Sequence, residues 1–109
     1  MTIGEIRTLL VSVDSGIRHY FSMSNAEAYS YWEETHRLPL TVNDQHKTEA
    51  WKFYVHRFTK TEDDAIAAAF FKALDEDPRI CVRWVVDSEQ GTGSDPDAGY
   101  IHHIFECEG

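Results

Sequence analysis

Six histidines in 109 residues are the first place to look for chemistry, and three of them share one local pattern. His19 precedes Phe21, His56 precedes Phe58 and His103 precedes Phe105, each two positions apart. On a strand that spacing sets each imidazole beside its phenyl ring on one face. Were the three strands neighbours, three imidazoles would converge, the ligand count of a catalytic zinc site, and the chain would read as a small metal-binding enzyme or sensor. The pattern argues against itself at one point: in 50–58 the side that carries His56 also carries Lys52, opposite Trp51 and Phe53. Aromatic strands commonly hold a half-buried histidine satisfied by a carbonyl or carboxylate, so scattered histidines are the expectation.

The other reactive types are weaker still. His102, His103 and Cys107 lie within six residues, but adjacent strand residues point to opposite faces, so only His103 and Cys107 can share one. Cys81 and Cys107 form no CxxC and sit in apolar runs that predict buried, reduced thiols rather than a disulfide or a low-pKa nucleophile. The stretch 87–99 offers Asp87, Glu89, Asp95 and Asp97 as hard oxygen donors without the spacing of a calcium-binding loop. No phosphate-cradling glycine motif, nucleophile elbow or paired metal-ligand motif occurs. The residues therefore point to neither catalysis, metal nor cofactor.

Charge is the more informative pattern. Residues 1–60 carry seven Lys/Arg against seven Asp/Glu, whereas residues 61–109 carry three against twelve, so the whole net charge of −9 belongs to the second half. Such a field repels nucleic acid and anionic membranes and attracts basic surfaces. Glu62, Asp63 and Asp64 open the second expected helix, where carboxylates favour the dipole. Asp75, Glu76 and Asp77 close it, where negative charge opposes the dipole by roughly 0.3–1 kcal/mol each and answers no local need. The partner-binding residues expected from this are Asp75, Glu76, Asp77, Asp87, Glu89, Asp95 and Asp97, with Trp32, Tyr29 or Tyr100 as possible apolar anchors. By analogy of charge and size, this is the profile of an immunity protein or of a phage-borne DNA-mimic inhibitor of the anti-CRISPR sort. Its partner would be a basic protein.

The elements that must position these residues follow from periodicity and turn chemistry. Residues 7–14 and 17–23 are β-branched and aromatic and flank Asp14-Ser15-Gly16, which predicts a hairpin. Ser24 precedes Glu27 at capping-box spacing, and Ala28, Tyr31 or Trp32, Thr35 and Leu38 recur at helical intervals, predicting a helix over 25–37 that Pro39 ends. Residues 39–49 read as an exposed connection and 50–58 as a third strand. Thr61 and Asp64 cap a second helix whose stripe is Ile66, Phe70, Ala73 and Leu74, stopped at Asp77-Pro78. Strands at 80–86 and 100–107 flank an irregular 87–99.

The resulting order is ββαβαββ, an α+β domain spanning 1–109 with a mostly antiparallel five-stranded sheet and both helices on one face. Apolar residues make up 42% of the chain, enough for one core at this length. No basic, apolar leader and no membrane-spanning run occurs, so the cytoplasm is the expected compartment. An exposed sheet edge would allow a homodimer as an alternative role.

Overall fold

The structure is a computed structural model that describes residues 1–42, 46–89 and 99–109, the side chains of 39–42, 46–49, 88 and 89 excepted. It comprises α1 (Ile3–Val13), β1 (Arg18–His19), β2 (Ala28–Val42), β3 (His46–Thr59), α2 (Ala65–Glu76), β4 (Cys81–Glu89) and β5 (Tyr100–Glu108). The expected α+β class with five strands and two helices is what forms, but the first and third elements exchange character. The order in the chain is αβββαββ.

Of residues 7–14, expected as a strand, all but Asp14 lie in α1. Thr2 and Glu5 close a reciprocal capping box ahead of it, each side chain accepting the other's backbone N–H at 3.1 and 3.0 Å. Ile3, Ile6, Leu10 and Val13 then fall on one stripe, with Ile6 and Leu10 fully buried. Asp14-Ser15-Gly16 does turn the chain, yet it joins a helix to the two-residue β1 rather than two strands: Asp14 is the C-cap of α1, and its carboxylate accepts the Gly16 N–H at 3.0 Å. Residues 28–37, expected as part of a helix, belong to β2, where Ser30 and Trp32 face one way and Tyr29, Tyr31 and Glu33 the other. The expected connection 39–49 is instead largely the outer ends of β2 and β3, which pair as far as Val42 and His46. Pro39 sits opposite Glu49, beyond the reach of β1, where β2 is an edge and a missing N–H costs no ladder bond.

The sheet runs β1-β2-β3-β5-β4 and is mixed: the expected antiparallel pairings are joined by one short parallel pairing that was not expected. β1 joins β2 in parallel over two residue pairs, while β2–β3, β3–β5 and β4–β5 are antiparallel, with an irregularity between Glu34 and His36. Both helices cover one face, as expected. Register places Trp32 opposite Val55 and Val55 opposite Phe105, with Phe53 opposite Cys107. These side chains meet Ile6 and Leu10 of α1 and Ala67, Phe70 and Leu74 of α2 in a single core. None of the described helices is long and apolar enough to cross a membrane.

Candidate functional site

The helix-free face of the sheet is built from aromatic rings standing side by side across strands. Tyr29 stacks on Phe58 at 4.7 Å between centroids, and Phe58 on His102 at 4.0 Å, a three-ring row from β2 through β3 to β5. Tyr31 stacks on His56 at 4.4 Å in the next row. Because their flat faces are taken up by one another, these rings offer mostly edges to solvent, which leaves little of the stacking platform that single-stranded nucleic acid needs. Through this layer runs a polar chain. Glu33 Oε1 lies 3.0 Å from His56 Nε2, and His56 Nδ1 lies 2.8 Å from His102 Nε2. One nitrogen of that second contact must donate and the other accept, so the two imidazoles cannot both be fully protonated while it stands.

His19 belongs to a separate group. Its ring is sandwiched between Tyr20 and Trp32, with centroids 3.9 and 4.0 Å away. Nε2 lies 2.7 Å from Glu34 Oε2, while Arg7 Nη2 approaches Nδ1 at 3.4 Å. Tyr20, held at φ 73°, also donates its hydroxyl to Glu34. Burial raises the proton affinity of Glu34, but the hydrogen bonds from Tyr20 and His19 outweigh it and hold the carboxyl below the usual range.

His103 lies on the opposite face from His56, since His56 pairs with Ile104 and side chains alternate along β5. Its Nδ1 accepts the Trp84 indole N–H at 3.0 Å, and burial lowers its pKa. His19, His56 and His103 therefore do not converge, and among the described residues no three His, Cys, Asp or Glu side chains are grouped so that they could hold a metal ion. The His-x-Phe pattern also breaks at its first instance, because Phe21 falls beyond β1 with 71% of its surface exposed.

The thiols are no better placed. Burial pushes the Cys107 thiol far up, with the charge of Glu106 adding to it. Cys81 is exposed and lines a groove of about 230 Å³ with Lys52, Arg83, Glu106 and Glu108, without a histidine. A larger hollow of about 630 Å³ along α1, between Glu5, Thr8, Ser12 and Arg79, also lacks one.

The carboxylates divide into matched and unmatched. Asp64 is the N-cap of α2, accepting the Ala67 N–H at 2.9 Å and gripped by Arg57, so Glu62 and Asp63 precede the helix rather than forming its first turn. Asp77 is engaged by Arg79 at 2.8 Å, and Glu106 lies 3.8 Å from Arg83. Among the expected partner-binding residues, Asp75 and Glu76 are exposed at the end of α2, and Asp87 is exposed on β4. Asp77 is thus tied up internally. Glu89 lies in β4 with its side chain outside the described residues, as are Asp95 and Asp97 entirely. The six steps from Cys81 to Asp87 span about 20 Å, so the two exposed groups lie toward opposite ends of β4. Trp32 and Tyr100 are buried at 1% exposure and serve the core, not an interface, and Tyr29 is half-buried against Phe58. Sequence reasoning missed the Glu33–His56–His102 chain, because only the register of β2, β3 and β5 reveals it.

No protein-family model matches this chain, and no curated protein shows significant similarity to it.

Proposed function

We propose that this chain is a non-enzymatic, acidic protein-binding module of the cytoplasm that occludes a basic surface on a partner protein. The surface would be a nucleic-acid-binding groove or a toxin's active face, covered in the manner of an immunity protein or a DNA-mimic, anti-CRISPR-like inhibitor. The supporting observation is where the sheet order takes the charge. The acidic half of the sequence becomes α2, β4 and β5, with β5 and β4 adjacent at one edge of the sheet and α2 packed against β4. Glu62, Asp63, Asp75, Glu76, Asp87 and Glu108 are exposed on these elements and their approaches.

Of the three cations in that half, Arg79 is committed to Asp77 and Glu5, at 2.8 and 2.6 Å. Exposed carboxylates without internal counter-charges steer a basic partner and reject acidic ones. The test is capture of partners from the native cell by the wild-type chain and by D75K/E76K, with circular dichroism to show that the variant folds. A basic protein held by the wild type and lost by the variant supports the reading. Equal recovery by both would remove the α2 terminus from the binding surface.

A further inference from the structure

β4 ends the sheet, and nothing among the described residues pairs with its outer edge. A nine-residue edge of this kind ordinarily carries some device against pairing, such as an inward charge, a proline or a bulge. β4 contains no proline, and its pairing with β5 runs without interruption from Cys81 to Glu89. Instead it presents Trp84 and Val86 on the helix-covered face, 37% and 54% exposed, and Arg83 and Asp87 on the other face.

We propose that this edge pairs with the same edge of a second copy, antiparallel and centred on Val85, to make one continuous ten-stranded sheet. The residues themselves select that register. Turning β4 about Val85 sets Trp84 against Val86 of the second copy, and Val86 against its Trp84, so the exposed apolar side chains cover one another on one face. On the other face it sets Arg83 against the second copy's Asp87, and Asp87 against its Arg83, two opposite-charge pairs related by the two-fold axis. Directly opposed residues in an antiparallel pair share a face, which this register satisfies for each of these pairs.

Trp84 is ordered in advance. Its indole N–H is bound by His103 at 3.0 Å, and its ring lies 5.2 Å from Phe71 and 5.3 Å from Phe105. Little side-chain freedom is then lost on association. The Arg83 guanidinium is free to reach across: it is 77% exposed, and its approach to Glu106 is long at 3.8 Å. Net charge of −9 on each copy opposes the approach. At ~0.15 M salt that repulsion is screened beyond about 8 Å, while the pairs at the axis remain in contact.

Self-association stands apart from partner capture and is measured on the purified chain alone, by sedimentation equilibrium from about 1 µM, the loose end of affinity for a standard-sized interface, to about a hundredfold above it. The wild type is expected to show a monomer–dimer equilibrium. R83D and D87R should each weaken it about tenfold, and the double variant R83D/D87R, which restores both opposite-charge pairs with signs exchanged, should recover it. V86K should give a folded monomer, and D75K/E76K should dimerise at least as well as the wild type. A wild type that stays monomeric throughout, or folded single variants that dimerise unchanged, would overturn the proposal; failure of the folded double variant to recover would overturn the register.

Discussion

The guanidinium of Arg57 meets Asp64 twice, Nε to Oδ2 at 2.9 Å and Nη2 to Oδ1 at 3.3 Å, inside the layer between sheet and helices. Asp64 caps the start of α2, and Arg57 Nη1 also reaches Ser30 at 3.2 Å and Asp14, the C-cap of α1, at 3.6 Å. A carboxylate at a helix C-terminus ordinarily opposes the dipole, and the guanidinium offsets that opposition at Asp14. One buried cation thus pins the end of one helix and the beginning of the other to β3.

Removing it leaves buried carboxylate without its counter-charge. Arg57→Met, which keeps much of the stem's volume, should lower stability by about 3 kcal/mol, the scale of breaking a buried pair from one side. Asp64→Asn, which retains a capping oxygen, should cost less than Asp64→Ala. Urea denaturation of the three variants checks the order, and an Arg57→Met midpoint equal to that of the wild type would show the network to be idle.

Acid should unfold the protein in two stages. Burial lowers the folded pKa of His103, with Arg57 contributing in the same direction against the opposing charge of Asp64. The unfolded chain therefore takes up that proton first: stability is complete above about pH 6.5 and declines as pH falls from there toward the folded value. Protonating Nδ1 would also forfeit the bond from Trp84. A second decline belongs below about pH 4, as Asp64 and Glu34 become protonated. Burial raises both, but Arg57 and the Ala67 N–H on the one, and Tyr20 and His19 on the other, hold them below their ordinary values. Urea midpoints measured from pH 8 to pH 3 should show both steps, and His103→Gln should flatten the first alone.

The second half of the fold was legible in the sequence and the first was not, for a physical reason visible in particular residues. Ile66, Phe70 and Leu74 carry an unambiguous helical period, and Asp77-Pro78 can only stop it. In residues 3–13 the same period is present, but Thr8, Val11 and Val13 are β-branched and mimic a strand, so the decisive sign was the Thr2–Glu5 capping box upstream. In 25–37 the error ran the other way. Ser24 and Glu27 have capping-box spacing without a helix to cap, and Ser24 Oγ merely accepts the Ala26 N–H at 3.1 Å. The alternation Tyr29, Tyr31, Glu33 was the true signal, and packing beside β3 enforced it. The side-chain network suffered most, because Glu33, His56 and His102 come together only through strand pairing that no local pattern encodes.

The capping box gives the reassigned helix its own test. Thr2→Ala removes the acceptor for the Glu5 N–H and should cost about 1 kcal/mol. Glu5→Ala loses more, since Glu5 also accepts from Arg79 at 2.6 Å and so ties α1 to the segment that leads into β4. Hydrogen exchange at the first turn of α1 should quicken in both variants and leave β3 and β5 unchanged.

Partner capture should be governed by screening. The exposed carboxylates at Asp75 and Glu76 act through solvent, and at 0.1 M ionic strength their reach is about 10 Å. The association rate with a basic partner should therefore fall steeply as salt is raised from about 0.01 M, where the reach is roughly 30 Å, to 0.1 M. Dissociation, set by short-range contacts, should change far less. Surface plasmon resonance across that series separates the two rates. An association rate that ignores salt would place the contact on apolar surface, and Phe21 and Met23, at 71% and 64% exposure near the β1 edge, would become the residues to alter next.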